Sequence, residues 1–183
     1  NNNGTLINGT RWTTNGRVNG SYIFDGVNDY IRINDSSLFD FPNNFTIEVW
    51  VYLNRSMPGA YTQVTGKGGG QCDWTTDDGH SYVFGTSPNN KLAFTWNNNG
   101  VDAELESTNV VNLSLRWSHI AVTHNSTNLT LYLDGSAAGT RSNITITDVN
   151  GGDPKINIGV ASCFDNFWNG SIDEVAIYNR SLS

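Results

Sequence analysis

The chain has 183 residues, of which 15 % are charged, and its formal net charge at pH 7 is −7. An acidic chain of this kind offers no basic field to nucleic acid or anionic lipid, so we expect neither as a partner. No run reaches the roughly 18 apolar residues of a membrane-spanning helix, so membrane insertion is not expected.

Apolar residues at every second position predict short β-strands along most of the chain. In chain order they are expected at 22–24, 30–33, 45–53, 61–65, 82–84, 92–96, 117–123, 129–133, 156–158 and 172–178, with a weak exposed strand within 100–109. In the strand over 45–53 every odd position is apolar, and Trp50 and Tyr52 point to the opposite face, which we therefore expect to be partly covered. A hairpin is predicted at Asp134-Gly135, and one short helical turn around Ser37 to Phe39. About a dozen short strands separated by turn residues indicate an all-β fold, a two-sheet antiparallel jelly-roll sandwich.

The length predicts a single domain over residues 1–183, of which only the first dozen residues are expected to be loosely attached. The N-terminal residues Asn1 to Gly4 lack the basic and apolar regions of a secretory signal. If the protein is exported, we expect this chain to be a mature form or an excised module.

Asn-x-Ser/Thr triplets (sequons) are more than twice as frequent as the about 5 that random order would produce. Each is an acceptor for N-linked sugar, which is bulky and confined to the surface. The excess predicts a heavily glycosylated secreted or cell-surface protein; the alternative is an Asn-rich chain that forms triplets by accident. The twelve begin at Asn3, Asn8, Asn19, Asn34, Asn44, Asn54, Asn112, Asn125, Asn128, Asn143, Asn169 and Asn179.

The two cysteines, Cys72 and Cys163, are 91 residues apart. Neither belongs to a Cys-x-x-Cys pair, which argues against a zinc or redox site. In an oxidising compartment they would form one disulfide; the alternative is two buried free thiols.

Four segments resemble, in order, the laminin-G-like and concanavalin-A-like jelly-roll domains. They are residues 19–31 (NGSYIFDGVNDYI), 45–51 (FTIEVWV), 117–123 with 131–135 (WSHIAVT and LYLDG) and 170–183 (GSIDEVAIYNRSLS). The resemblance covers nearly the whole chain and implies the jelly-roll fold. It leaves function open, because this fold hosts lectins, adhesion modules, pentraxins, glycosidases and lyases.

The acidic strand pattern of the laminarinase-like hydrolases, Glu-x-Asp-x-x-Glu or Glu-x-Asp-x-Glu, is absent. Glu104 and Glu106 share one face but lack a third acid, and Glu48 stands alone. His119 and His124 are five residues apart and point to opposite faces, and His119 is expected to be the packed core histidine. We therefore expect no enzyme, with a polysaccharide hydrolase or lyase of non-standard site as an alternative.

A turn rich in oxygen ligands, Asp25 to Asp29, directly follows a predicted strand and suits calcium. In many relatives of this fold a structural calcium ties an early turn to an Asp of the last strand. The resemblance therefore implies that Asp25 and Asp173 share an ion. The alternative is that both accept turn and backbone hydrogen bonds without metal.

Two loops, 66–79 and 161–168, combine acidic and aromatic residues, and each contains one cysteine. A disulfide would bring their Cα atoms within ~7 Å and form one patch. The loose resemblance to pentraxins, which bind a ligand-bridging calcium with loops at these two places, points the same way, although the pentraxin acidic cluster is missing. The alternative is a stapled loop pair with a structural role. The candidate ligand residues are Asp73, Trp74, Asp77, Asp78, Asp165, Asn166 and Trp168.

The sequence thus predicts a non-catalytic extracellular, lectin-like or adhesion module that binds glycan or a surface protein. The alternative, a structural rather than a binding function, is that the domain is a building block of a larger glycosylated surface assembly.

Overall fold

The computed structural model describes residues 3–40, 44–55, 59–68, 80–147, 155–160 and 166–182. Within these ranges the chain forms fourteen strands and one 3-10 helix, Ser37–Phe39. Among the described residues, no helix has the length and apolar character that crossing a membrane would take. The strands are β1 (Gly4–Ile7), β2 (Arg11–Thr13), β3 (Ser21–Asp25), β4 (Tyr30–Ile33), β5 (Asn44–Leu53), β6 (Thr62–Gly68), β7 (His80–Thr86), β8 (Leu92–Asn97), β9 (Asp102–Glu106), β10 (Trp117–Asn125), β11 (Asn128–Leu133), β12 (Ser136–Ser142), β13 (Ile156–Ile158) and β14 (Asn169–Tyr178).

The strands form two sheets of seven. Sheet A has the order β1-β4-β13-β6-β7-β8-β9, and sheet B has the order β12-β11-β10-β5-β14-β3-β2. Neighbouring strands pair antiparallel in both sheets. The predicted all-β, two-sheet antiparallel sandwich is therefore confirmed.

The core lies between the sheets and follows the predicted alternation. In β5 all five odd-numbered residues from Phe45 to Leu53 are buried, while Trp50 and Tyr52 are half-buried on the other face. From sheet A, Phe84, Phe94 and Leu105 meet them across the sandwich. Because a shift of one residue would turn these side chains outward, burial of one face fixes the strand register.

The predicted hairpin joins β11 to β12, and its turn residues Asp134 and Gly135 both have positive φ, 49° and 80°. This backbone twist suits a two-residue hairpin loop. The Asp134 carboxylate adds an anchor, because it accepts a hydrogen bond from the His119 backbone N–H at 2.9 Å and pairs with Arg116. Strand β12 has no apolar alternation of its own and forms through its pairing with β11.

Among the first dozen residues, the described ones from residue 3 onwards differ from expectation, because strands β1 and β2 are paired rather than loose. Strand β1 pairs with β4 along its whole length, and Trp12 of β2 pairs with Tyr22 of β3. Composition alone does not reveal such pairing, because the pairing depends on unpaired backbone N–H and C=O groups of strands that come later in the chain.

The two edges of the sandwich differ. At the β9–β12 edge the sheets are joined, because Thr108 N–H donates to the Ala138 carbonyl at 2.8 Å and Arg141 donates to the Glu104 carbonyl at 3.0 Å. At the β1–β2 edge an apolar cleft separates the sheets, with Leu6 and Trp12 exposed at 44 % and 57 %. The sandwich is thus closed on one side and open on the other.

A fully buried lysine fastens the 3-10 helix to sheet A. Lys67 of β6 has no exposed side-chain surface and forms ion pairs with Asp40 and with Asp35, the latter at 3.4 Å. Its two partners flank the helix Ser37–Phe39. Removing either would leave a buried charge less well compensated, so this cluster holds the β4–β5 connection in place.

Candidate ligand-binding site

A small cavity of about 10 Å³ lies among the outward-pointing residues of β6 to β8, with polar side chains of β9 beside it, and we name it the Tyr61 cleft. Pairing places Val83, Thr95 and Glu104 in one row across the sheet. Because Phe84, Phe94 and Leu105 point into the core, these neighbouring positions point outward. The cleft is lined by Tyr61, Thr62, Gln63, Val83, Gly85, Thr86, Ala93 and Thr95, with Glu104 and Glu106 at its side.

Glycine is required in the floor of the cleft. A Cβ at Gly85 would lie 2.1 Å from the Thr62 carbonyl oxygen of the neighbouring strand. Any side chain there would force β6 and β7 apart. The close approach of these strands therefore depends on this residue.

Glu104 and Tyr61 form the central polar pair. Glu104 accepts a hydrogen bond from Thr95 Oγ1 at 3.2 Å and another from Tyr61. Burial raises the pKa of the Glu104 carboxyl above its ordinary value. Burial, followed by the Glu104 charge, raises the pKa of Tyr61 to about 12. The tyrosine therefore stays neutral and donates its hydrogen bond throughout the physiological range.

Glu106, two residues along β9, has the opposite behaviour. Burial alone would raise its pKa, but hydrogen bonds from Ser87, Asn89 and Lys91 outweigh burial and lower it. The Lys91 ammonium lies 3.4 Å from Glu106 Oε2. Two carboxyls in different protonation environments thus lie beside the cleft, near tyrosine, threonine and amide groups, a set that can hydrogen-bond hydroxyl groups.

Of the two predicted ligand loops, the described part of the second lies beside this cleft. The Asn166 carbonyl accepts a hydrogen bond from the Gln63 backbone N–H at 3.5 Å, and Asn166 is half-buried. Five other predicted ligand residues, Asp73, Trp74, Asp77, Asp78 and Asp165, lie outside the described residues. So do Cys72 and Cys163, and their disulfide stays a prediction.

Trp168 does not belong to a surface patch, and this corrects the sequence prediction. Its side chain is fully buried in the hydrophobic core, and its backbone N–H donates to the Gly159 carbonyl at 2.7 Å. A tryptophan in this position cannot stack on a ligand. Sequence reading missed this because an aromatic residue in a polar loop looks the same whether it points outward or anchors the loop.

The two predicted calcium ligands do not lie together. Asp25 pairs with Asn169, and Asp173 is four residues further along β14, about 13 Å away at the usual rise per residue. Asp25 Oδ1 accepts from the Val27 and Asn28 N–H groups of its own turn. Among the described residues there is no cluster of three or more His, Cys, Asp or Glu that could hold a metal. Calcium stays a prediction, but not through one ion shared by this pair.

Asp173 has a clear structural partner set instead. It is 7 % exposed, and its carboxylate accepts hydrogen bonds from the backbone N–H groups of Arg17, Val18 and Glu174 at 2.8 to 2.9 Å. It therefore ties the chain before β3 to the irregularity in β14 between Asp173 and Ala176. These contacts agree with the alternative given in the sequence analysis, in which Asp173 accepts backbone hydrogen bonds without a metal.

The outer face of sheet B carries a second set of aromatic side chains. Trp117 contacts Tyr52, and His119 contacts Trp50, with ring centroids 5.7 and 5.2 Å apart. The Arg17 guanidinium lies over the Trp50 ring at 4.5 Å. These groups cover one another, as the sequence predicted for the outward face of β5, and the row acts chiefly in packing.

The histidines confirm one expectation and correct another. His119 and His124 do lie on opposite faces, but the buried one is His124, which is 2 % exposed and packs on Phe45. His119 is the outer one and lies 3.5 Å from Glu48. His80 is also buried and lies 3.3 Å from Asp102. No nucleophile is involved in these contacts.

Tyr61, Gln63 and Thr95 were not predicted as site residues. The sequence placed them in or next to strands. Nothing in their spacing reveals that strand register brings Thr95 beside Glu104, or that Tyr61 lies within hydrogen-bond distance of Glu104. Of the residues at this site, only Glu104 and Glu106 could be noticed in the sequence, as two acidic residues on one face of a strand.

Comparison with known proteins agrees with this architecture. The sequence pattern of the concanavalin A-like lectin/glucanases superfamily matches residues 25–183. The chain belongs to this superfamily. No curated protein sequence matches this superfamily member.

Solved structures resemble the superfamily domain in fold at low sequence identity. Domain 4 of AbnA, a GH43 extracellular arabinanase from Geobacillus stearothermophilus in complex with arabinotriose, has a TM-score of 0.72 and 16 % identity over 98 % of this chain and 84 % of that one. The binding domain of Paraclostridial Mosquitocidal Protein 1 has a TM-score of 0.71 and 16 % identity over 100 % of this chain and 45 % of that one. The CBM40 of the Ruminococcus gnavus IT-sialidase, bound to α2,3 sialyllactose, has a TM-score of 0.62 and 16 % identity over 78 % of this chain and 79 % of that one.

Proposed function

We propose that this domain is a non-catalytic glycan-binding module of an extracellular or cell-surface protein, and that the half-buried polar groups beside the Tyr61 cleft bind the sugar at the surface. The observation that carries the proposal is the set of hydroxyl, amide and carboxyl groups that meets there, around Tyr61, Thr95 and Glu104. Such groups pair with sugar hydroxyls, and the Tyr61 ring offers an apolar side. Sugar-bound structures among the fold neighbours support the same class of ligand.

A glycan array probed with the purified domain tests this proposal. We expect binding to a defined group of oligosaccharides, reduced at least about tenfold by Tyr61→Ala, which corresponds to ~1.4 kcal/mol. The matched control is Tyr132→Ala, because Tyr132 is a half-buried tyrosine on the outer face of sheet B. An array without signal, or equal losses in the two variants, would reject the site; no binding to any sugar would favour the structural building-block role.

Hydrolysis of a bound polysaccharide is a second candidate, favoured by one observation. Glu104 and Glu106 lie two residues apart on one face of β9; burial raises the pKa of the first and hydrogen bonds lower that of the second, a separation that an acid–base pair requires. Release of reducing sugar from array-positive polysaccharides would support it, provided that Glu104→Gln abolishes release while binding persists. Binding without release would leave the non-catalytic proposal in place.

A further inference from the structure

The open edge of the sandwich contains a cavity of about 290 Å³, which we name the β1–β2 cleft. It lies between β1, β4 and β13 of sheet A and β2, β3 and β14 of sheet B. Small-molecule sites in proteins begin at about 300 Å³, so the cleft has room for a single ring with a short chain. It is far larger than the cavity beside Tyr61 and lies at the opposite side of sheet A.

The walls of the β1–β2 cleft are almost entirely apolar. Of its thirteen lining residues nine are aliphatic or aromatic, two are glycines and two are acidic. Ile31 and Ile33 form part of the sheet A wall, and Tyr22 and Ile172 part of the sheet B wall. An oligosaccharide would leave most of its hydroxyl groups without partners against such walls, which is unfavourable. The cleft therefore suits a ligand with an apolar body rather than a sugar.

Trp12 and Leu6 stand at the mouth of the cleft, and both are exposed. A Cβ at Gly20 would lie 2.5 Å from Cζ2 of the Trp12 ring, so the ring packs directly on this glycine. Glycine at this position lets the indole lie close to the chain that leads into β3. An exposed tryptophan ring at the mouth of an apolar cavity is a surface on which another aromatic ring can stack.

The charge of the cleft is negative. Of the described residues that line it, Asp173 and Glu174 are acidic and none is basic. The Asp173 carboxylate already accepts three backbone N–H groups. Arg17, which supplies one of these groups, extends its guanidinium over Trp50 on the outer face of sheet B. The negative charge at the cleft is therefore not neutralised by that arginine.

Glu174 is the acidic group that a ligand can reach. Its side chain is exposed, and its carboxylate forms no ion pair or hydrogen bond with any described residue. Its backbone is held in the left-handed region, with a φ of 50°, which few residues other than glycine, asparagine and aspartate adopt. The Glu174 N–H donates to Asp173 Oδ1 at 2.9 Å, and this bond helps to fix Glu174 beside the cleft.

We infer that the β1–β2 cleft binds a small aromatic amine, with its ring between Trp12 and the aliphatic walls and its ammonium beside Glu174. Burial of the ring removes apolar surface from water, and the carboxylate selects a cation over a neutral or anionic ligand. A protein partner fits less well, because stable interfaces bury about 800 Å² on each side, whereas Trp12 and Leu6 are the exposed large apolar side chains at this mouth. The inference does not depend on glycan binding at the Tyr61 cleft.

Three probes of similar shape test the inference: phenethylamine, phenethyl alcohol and hydrocinnamate. Each has one phenyl ring on a two-carbon chain, and at pH 7 they are cationic, neutral and anionic. In NMR titrations of the wild-type domain at low ionic strength, we expect the amine to bind at least about tenfold more tightly than the acid, with the alcohol between them. The methyl resonances of Leu6 and Val175, which line the cleft, should shift on titration.

Glu174→Gln is the decisive variant, because it removes the charge and keeps the size of the side chain. We expect its affinity for the amine to fall at least about fivefold, while its affinity for the alcohol stays within about twofold of the wild type. Glu104→Gln is the matched control, since it removes the same charge from the outer face of sheet A, and all three affinities should stay within about twofold. Trp12→Ala should weaken the amine and the alcohol alike. Melting curves check that each variant is folded, as expected for substitutions of exposed side chains at Glu174 and Trp12.

Several results would overturn the inference. One is a wild-type domain that binds none of the three probes in a saturable way. Another is equal affinity for the three probes, or a preference for the amine that persists in Glu174→Gln. Shifts confined to methyl groups outside the cleft, with binding unchanged in Trp12→Ala, would place the ligand elsewhere. None of these results bears on the glycan array, so failure here leaves the proposed function standing.

Discussion

Single side chains set the electrostatics of the Tyr61 cleft. Glu104 and Glu106 are two residues apart on one strand, yet burial governs the first, and donors from Ser87, Asn89 and Lys91 govern the second. The protonated form of Glu104 is therefore favoured by folding, while for Glu106 the ionised form is favoured. This difference has a measurable consequence for stability.

We expect Glu104→Gln to raise thermal stability at pH 7 but to have little effect at pH 4. Because its folded pKa is raised, ionisation of Glu104 destabilises the fold as pH rises from the unfolded-state value through the folded one, and a neutral amide avoids this. The amide oxygen can still accept from Thr95 and Tyr61. Melting curves of wild type and variant between pH 4 and pH 8 give the difference, and a gap that does not change with pH would contradict the assignment.

Trp50 tests whether the aromatic row of sheet B serves packing. The ring is enclosed by Arg17 and His119, so Trp50→Ala should lower the free energy of unfolding by about 2 kcal/mol, below the ~3–5 typical of a fully buried Trp. Trp12→Ala is the control, because Trp12 is 57 % exposed, and a change within about 0.5 kcal/mol is expected. Chemical denaturation measures both, while array binding should be unchanged in each. Loss of sugar binding in Trp50→Ala without loss of stability would move the site to sheet B.

At the scale of elements, β14 shows how one carboxylate organises two segments. The strand is irregular after Asp173, where Glu174 has a φ of 50°. Asp173 receives three backbone N–H groups there, two of them from the chain before β3. These hydrogen bonds fasten the closing strand to the segment that precedes β3.

Asp173→Asn should destabilise the domain equally in chelator and in millimolar calcium. Hydrogen bonds to a charged group contribute about 1.5–3 kcal/mol, so a loss of about 2 kcal/mol, or roughly 4–8 °C in melting temperature, is expected. Asp25→Asn is the control, because Asp25 is exposed and its carboxylate accepts hydrogen bonds from its own turn. Its contact with the Asn169 side chain is made by the Asp25 backbone carbonyl, which the substitution keeps. A calcium-dependent rise in wild-type melting temperature that disappears in both variants would restore the shared-ion hypothesis.

At the scale of the whole molecule, the two edges of the sandwich should differ in stability. One backbone hydrogen bond and one from the Arg141 side chain join the sheets at the β9–β12 edge, whereas β1 and β2 are short and border an open cleft. Local opening is easiest where few apolar contacts are buried.

Hydrogen exchange should therefore be fastest in β1 and β2 and slowest in β5 and β10, in the centre of sheet B. We expect the amides of β1 to exchange at least about tenfold faster than those of β9, although both are edge strands, because hydrogen bonds hold β9 and the residue Thr108 after it to the other sheet. Exchange measured by mass spectrometry on peptides from each strand tests this. Equal rates in β1 and β9 would show that the closed edge adds no protection.

The sequence by itself determined the fold class. Alternation in β5, β10 and β11, the Asp134-Gly135 hairpin and the family-like segments predict the sandwich, because each depends on short-range rules of strand geometry and turn conformation. The same rules explain which elements were missed: β1, β2 and β12 have little apolar alternation and exist through pairing. Sequons, too, are visible in the chain without any coordinates.

The tertiary structure alone decided which side chains meet. Tyr61 and Glu104 are 43 residues apart, and their contact requires both the order β6-β7-β8-β9 and the register that sets Thr95 opposite Glu104. Likewise, the spacing of Asp25 and Asp173 and the burial of Trp168 depend on pairings between distant segments. Alternation of apolar and polar residues indicates which face of a strand is buried, but not which strand lies beside it. The position of the candidate site is therefore determined by pairing between distant strands.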